Sequence, residues 1–466
     1  MKRAFCTAAI LAAATLTGCS LIPDYTRPDT PTAETFKEDG PWRLAKPADQ
    51  AKRGEWWTIL QDPLLSQMEG QLETGSLELA AALARNDAAN AYLSGQNARL
   101  FPEVDAVGNL DTNRQSAGRP LRGPNLPNVY GNTAVGAGFV YEIDLWGHIR
   151  SAITSAEALA EASKADVESV RLSLQAQLAT DYIQLRGLDS QIRLLSDSIE
   201  AYRRELQLIQ HRHDEGIVSG IDVARSQTLL EETQAQKMSA LGQRALYEHA
   251  IAALLGQSAS SFSIAPAALV PVYPNVPPTV PSQVLQRRPD IAAAERRVAA
   301  ANANIGVARA AFFPEISLGA LGGFQNMGGG SLLTAPNSFW SLGPLAFFNI
   351  FDAGRREALV QQATAQTHEA TAVYRATVLN AFKEVEDNLA LLRYLGEENQ
   401  HQSAAVVAAR RTYDLATNRY REGAVSYLEV IDAENAKLRT ERVELDIQVA
   451  RMQSTVGLVR AIGGSW

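Results

Sequence analysis

Few side chains in this sequence are placed for covalent chemistry. Of the two cysteines, Cys6 and Cys19, the second closes the run Leu16-Thr17-Gly18-Cys19. Lys2 and Arg3 begin the chain and an apolar stretch from Ala4 to Leu16 follows, the layout of a secretory signal too short to span a bilayer. A cysteine at the cut has the form of a bacterial lipobox, in which the thiol is acylated before cleavage. Cys19 is then the first mature residue and carries N-acyl and S-diacylglycerol groups; no other cofactor is expected. Ser20, where an Asp would mark inner-membrane retention, leaves the outer membrane as the destination. Cys6 departs with the signal, so the mature chain has no internal disulfide. His211 and His213 are two apart and point to different sides of a helix, which argues against a metal site. The G-x-S-x-G elbow, the Walker A loop and H-E-x-x-H are all absent, and the chain reads as non-enzymatic.

The elements that carry these residues follow from composition and periodicity. A chain of 466 residues with 46% hydrophobic content can bury a large core, which excludes disorder as its main state. The net charge of −8 becomes more negative once Lys2 and Arg3 are removed, which argues against a nucleic-acid partner. Residues 23–50 are rich in proline (Pro23, Pro28, Pro31, Pro41, Pro47) and read as an extended tether. Asn128–Ala265 and Leu345–Trp466 contain no proline, so very long helices are permitted there. Leu185, Leu188, Ile192, Leu195, Ile199, Tyr202, Leu206 and Ile209 alternate steps of three and four, the seam of helices wound together. A second seam is expected through Leu428, Ile431, Leu438, Leu445, Val449 and Met452, with Asn435 and Arg442 interrupting it.

Strand patterns precede each long helical stretch. Val135, Ala137, Phe139, Tyr141, Ile143 and Leu145 alternate with small or acidic residues, as do Ile316, Leu318, Ala320, Gly322 and Phe324. Val104–Asn113 and Phe339–Phe351 are weaker candidates, paired with the others across Gly/Pro/Asn-rich loops. Such alternation over about ten residues suits a transmembrane β-barrel. Four strands cannot close a barrel, and open edges are not tolerated in lipid, so several copies must share one; a trimer supplies twelve strands. The alternative is a small soluble sheet.

The chain repeats itself. Leu100-Phe101-Pro102-Glu103 returns as Phe312-Phe313-Pro314-Glu315, and Arg212-His213-Asp214-Glu215-Gly216-Ile217-Val218-Ser219 returns as Arg419-Tyr420-Arg421-Glu422-Gly423-Ala424-Val425-Ser426. Gly147 matches Gly354. The organisation is therefore a signal (1–18), a lipid-anchored tether (19–54), a first repeat (55–265), a linker (266–283) and a second repeat (284–466).

These residues resemble the TolC-like outer-membrane efflux proteins, and in particular their lipoprotein branch of OprM and NodT type. The most specific stretch runs from Leu285-Gln286-Arg287-Arg288-Pro289-Asp290-Ile291 through Glu295, Ala301-Asn302-Ala303 and Ile305-Gly306 to Ala310-Ala311-Phe312-Phe313-Pro314. Trp56-Trp57, Asp62-Pro63 and Glu142-Ile143-Asp144-Leu145-Trp146-Gly147 support it, while Gly75-Ser76-Leu77 departs from the usual Asn-rich turn. The resemblance implies an α/β membrane protein: a homotrimeric 12-stranded barrel with four strands per protomer, continued by an α-helical coiled-coil periplasmic tunnel. It implies a periplasmic adaptor and an inner-membrane pump, of RND type, as partners, and small molecules such as drugs as cargo.

The resemblance also places a periplasmic gate at the two turns furthest from the barrel. Glu429 and Asp432 match a ring of acids at the closed end, and Arg419, Tyr420 and Asp222 match latch positions, with Tyr420 expected to bond Asp222. Gly216, Ile217, Val218, Ser219 and Gly423, Ala424, Val425, Ser426 match the surface that docks the adaptor. Another reading of Asp222 and Glu429 stays open, because Ser219…Asp222 and Ser426…Glu429 each fit a capping box. Arg225 occupies in the first repeat the place of Asp432, so the two coils differ electrostatically. A coiled-coil adaptor-type lipoprotein without a pore is the rival reading of the whole chain.

Overall fold

A computed structural model describes residues 20–30, 36–37, 54–118, 127–273, 287–327 and 330–464. The signal, Cys6, Cys19, most of the tether, Leu285, Gln286 and the second half of the linker lie outside the described residues. In chain order come a 3-10 turn (Trp56–Leu60), α1 (Pro63–Gly75), α2 (Leu77–Ala98), β1 (Glu103–Arg114), β2 (Val129–Glu142), α3 (His148–Asp214) and α4 (Gly220–Leu254). The second half supplies α5 (Pro289–Ala310), β3 (Glu315–Asn326), a 3-10 turn (Ala335–Asn337), β4 (Ser338–Phe347), α6 (Arg355–Arg421) and α7 (Tyr427–Ala461). The expected order thus appears twice. Strand β2 starts earlier and stops sooner than the alternation suggested, because Ile143–Gly147 turns into α3: Asp144 accepts from the amides of Ile149 and Arg150, and Gly147 has φ 75°. Asp352 and Gly354 (φ 87°) serve the start of α6 in the same way, and β4 ends at Phe347 rather than Phe351.

Backbone contacts divide the chain into two compact units that cut across both repeats. The first holds Met1–Pro28, Arg85–Lys164 and Ala293–Tyr374. Its centre is one antiparallel sheet in the order β1-β2-β3-β4. Register assigns its faces. Val104, Phe139, Ala320 and Leu342 are in line across the sheet, and so are Ala106, Ala137, Gly322 and Trp340. Gly108, Val135 and Phe324 belong to the same face. The opposite face carries Asp105, Asn109, Asp111, Asn132 and Gln325, joined by amide and carboxylate hydrogen bonds such as Gln325 Nε2 to Asn132 Oδ1 at 2.7 Å. Each pair of opposed residues shares a side, so both alternations seen in the sequence land on one apolar face. Gly136 and Gly323 let the backbones of β2 and β3 close up: a Cβ on Gly323 would fall 2.2 Å from the Val135 carbonyl oxygen.

The described part of the tether lies against this unit. Asn302 Nδ2 donates to the Pro23 carbonyl at 2.8 Å, Ile22 fills the space over Gly306, and Arg27 Nε donates to the Tyr374 hydroxyl at 3.0 Å.

The second unit holds Asp29–Ala84, Ala165–Ala292 and Arg375–Trp466. Here the tether continues with Arg375 Nε donating to the Asp29 carbonyl and Phe36 edge-on to Phe382 at 6.3 Å. Both α3 and α6 have 67 residues, about 100 Å of helix each. The seam from Leu185 to Ile209 is buried or half-buried throughout. Its counterpart on α7 is shifted at its start: Leu428 is 40% exposed, while Tyr427 and Val430 face the core. The break at Gly75-Ser76-Leu77 separates α1 from α2, and Gly75 has no room for a side chain because its Cβ would meet the Leu255 carbonyl at 2.5 Å. Trp56 and Trp57 are buried, with Trp56 Nε1 donating to Gln175. Part of the linker is pinned as well, since Asp189 accepts from Arg186, Arg244 and the Ala267 amide.

Candidate gate at the helical turns

The two turns of the second unit are built alike. Helix α3 ends when Gly216 takes φ 76°, the Ile217 amide donates to the Arg212 carbonyl at 2.8 Å and the Gly216 amide to that of His213 at 2.8 Å. Helix α6 ends when Gly423 takes φ 73°, with the Ala424 amide donating to Arg419 at 2.8 Å and the Gly423 amide to Tyr420 at 3.0 Å. These are paired bonds of a Schellman ending, in which glycine enters the left-handed region without a Cβ clash. His213 Nδ1 lies 3.0 Å from the Val218 carbonyl, so this histidine closes its own turn.

Restart differs between the two. Ser219 Oγ accepts from the Ile221 amide at 3.0 Å, whereas Ser426 makes no side-chain cap. Among the described residues neither Asp222 nor Glu429 reaches back to the serine amide, so the expected capping box is formed at neither turn. The Asp222 and Glu429 amides donate to the serine carbonyls instead, at 3.0 and 3.2 Å.

Below the turns four helices share one apolar cluster: Ile199, Tyr202 and Ile209 of α3, Leu229 and Leu230 of α4, and Tyr427, Val430 and Ile431 of α7, with Tyr413 and Tyr420 of α6 packed against it. Tyr420 stacks obliquely on Tyr427 at 5.5 Å, and the Arg212 guanidinium lies 5.1 Å from the Tyr420 ring centre. The expected bond from Tyr420 to Asp222 is not formed within one chain; the Tyr420 hydroxyl is buried without a hydrogen-bond partner. The ring is held by aromatic and cation–π packing that points its hydroxyl into the cluster.

Glu429 and Asp432 are both exposed, on the side of α7 away from Tyr427, Val430 and Ile431. Asp432 also edges a shallow pocket with Asn435, Arg439, Arg442 and Asp446. Arg419 is exposed and Asp222 half-buried. Of the turn residues Gly216, Ile217, Ser219, Gly423, Ala424 and Ser426 are exposed, while Val218 and Val425 are half-buried.

The sequence reading passed over a buried polar group in this cluster. Glu434 is 4% exposed and contacts Glu205, and burial with the neighbouring Glu205 pushes its carboxyl up to about 9. Its position was legible: Glu434 follows Ile431 by three and precedes Leu438 by four, the spacing of the seam itself. Tyr427, bonded to Ser226 at 3.0 Å, was missed for the same reason, because the seam was started one residue late.

Comparison with known proteins agrees with this architecture. The profile of the family described as outer membrane efflux protein matches residues 70–257 and 280–464. The efflux pump outer membrane protein TtgC of Pseudomonas putida is 31% identical over 453 residues, 97% of this chain and 93% of its own. Outer membrane protein OprJ of Pseudomonas aeruginosa is 30% identical over 468 residues, covering 100% of this chain and 97% of its own. The solved outer-membrane channel OprN superposes with a TM-score of 0.86 at 31% identity, covering 96% of this chain and 100% of its own. The chain belongs to the outer membrane efflux proteins, and it serves as the outer-membrane channel of an efflux system.

Proposed function

We propose that three copies of this chain close one 12-stranded barrel in the outer membrane and form an exit duct that conducts small solutes such as drugs passively. The sheet carries this reading. It has one apolar face, with Trp340 82% and Leu110 82% exposed, an opposite face that carries the Asp105, Asn109, Asp111, Asn132 and Gln325 polar cluster, and unpaired outer edges on β1 and β4. A single copy leaves those edges without hydrogen-bond partners, which lipid does not tolerate; edge-to-edge addition of identical sheets satisfies them. Among the described residues no helix is apolar enough to cross a membrane.

The gate in this proposal is the pair of turns. Three copies of Glu429 and Asp432 would ring the narrow end with carboxylates, favouring cations and opposing anions. Arg419, Tyr420 and Asp222 would hold neighbouring coils together, with Tyr420 acting through its ring rather than through a bond to Asp222 in its own chain. The exposed residues Gly216, Ile217, Ser219, Gly423, Ala424 and Ser426, flanked by Val218 and Val425, would dock a periplasmic adaptor, and an RND-type pump would supply the energy. Cys19 acylation would add a second anchor, with the Pro23 carbonyl held by Asn302 of α5 and the Asp29 carbonyl by Arg375 of α6.

Planar-bilayer recordings test this reading. The wild type should conduct little at rest, and Glu429→Ala with Asp432→Ala should raise conductance and reduce cation preference. Absence of conductance in both proteins would sink the duct. Cys19→Ser behind a replacement signal peptide should still yield a conducting trimer.

A further inference from the structure

Behind the face that displays Glu429 and Asp432 lie two acids that the gate reading leaves unused, half-buried Glu205 and buried Glu434. Glu205 of α3 and Glu434 of α7 are in hydrogen-bonding contact, and Glu434 Oε2 has no partner. Two ionised carboxylates side by side, one of them buried with an unpartnered oxygen, repel strongly, so the stable arrangement is one proton held between them. Burial raises Glu205 as well as Glu434.

Every helix of the cluster faces this pair or its immediate partners. From α3 comes Tyr202, and from α4 the Ser226 hydroxyl on Tyr427. From α6 come Tyr413, beside Glu434, and Arg421, whose charge favours ionised Glu205. Tyr420 of α6 adjoins Tyr427. From α7 come Tyr427, beside Glu205, and Lys437, whose ammonium lies 4.6 Å from the Tyr413 ring centre. Lys437 and Arg421 pull towards ionisation, and burial outweighs them.

We propose that Glu205 and Glu434 form a proton-dependent lock that holds α7 against α3 beneath the turns, tight while a proton is shared and loosened when it is lost. The proposal rests on the reading of these turns as the gate. In a loosened, hydrated coil Glu434 returns to the ordinary glutamate range of about 4.3, whereas the packed coil keeps its proton up to about 9. Between those limits the packed state binds more protons, so rising pH favours loosening and acid favours packing. Below the window both states are protonated and packing is at its firmest; above it nothing further changes.

Two measurements on the full-length lipidated protein decide the matter. Infrared difference spectra should show a protonated-carboxyl stretch at about neutral pH that is diminished in both Glu434→Gln and Glu205→Gln. In bilayers, wild-type conductance should rise about tenfold or more from about pH 5.5 to 9, tenfold being what one pH unit of differential proton binding contributes. Glu434→Gln, whose amide donates to Glu205 at any pH, should stay flat and low. An unchanged carboxyl signal in Glu434→Gln overturns the lock, as does a pH-independent wild type in which the Glu429 and Asp432 variants still open the channel. Failure of the gate reading looks different: those two variants would leave conductance unchanged while the shared-proton signal is intact, and the lock would stand as a packing device.

Discussion

The two helical hairpins of this chain are the same length and differ in what they bury. Helices α3 and α6 have 67 residues each, α4 and α7 have 35 each, and both turns close with a left-handed glycine and the same two backbone bonds. With Ser219 matched to Ser426, Gly220 faces Tyr427, Gln227 faces Glu434, and Arg225 faces Asp432. Gln227 is exposed where Glu434 is buried. Duplication preserved the backbone because its helix ends depend on glycine and on hydrogen bonds that any sequence can make. Divergence placed Tyr427, Asp432 and Glu434 in the second hairpin where the first has Gly220, Arg225 and Gln227. The second hairpin carries Glu429 and Asp432 on its outer face and contributes Glu434 to the proposed lock with Glu205 of the first, so it is the half expected to move.

The largest expected break in the equivalence is Tyr427→Ala. It removes a buried ring from the shared cluster and orphans Ser226, and should cost on the order of 3 kcal/mol, seen as accelerated proteolysis near residue 425. At the matched position Gly220→Ala should be near neutral, since its Cβ would make an ordinary 3.6 Å contact with the His213 ring. Comparable losses at both sites would mean that the cluster is not the asymmetric element described.

Gly216→Ala and Gly423→Ala sharpen the equivalence instead. An added Cβ meets nothing within 4 Å at either site, so only the positive φ is strained, at about 1 kcal/mol each. Urea titrations read by tip proteolysis should give equal shifts, and unequal ones would refute the identity of the turns. The smallest difference is expected at the caps. Ser219→Ala loses a bond to the Ile221 amide and about 1 kcal/mol, whereas Ser426→Ala, with no such bond, should be silent in the same assay.

Much of the fold was legible because it depends on local periodicity. Both alternations on β2 and β3 fall on one face of the sheet, and the steps of three and four from Leu185 to Ile209 are buried, as the pattern requires. The two turns and the helix starts after them were less legible. Ser219…Asp222 and Ser426…Glu429 have the letters of a capping box and form none; the Asp222 and Glu429 amides donate to the serine carbonyls instead. Leu428 looked like seam and is exposed, while Tyr427 and Val430 are inside. A stripe wide enough for three neighbouring helices admits two registers one residue apart, and hydropathy does not choose between leucine and tyrosine.

The sequence by itself determined the duplication, the strand–helix order and the ends at Gly216 and Gly423, since each depends on residues close in the chain. Only the tertiary structure decided that Glu434 is buried against Glu205, that Tyr420 packs with Arg212 and Tyr427 instead of bonding Asp222, and that Phe36 and Pro23 dock on distant helices. Those outcomes depend on which helices become neighbours, and the desolvation and charge that follow from neighbours far apart in sequence have no local signature.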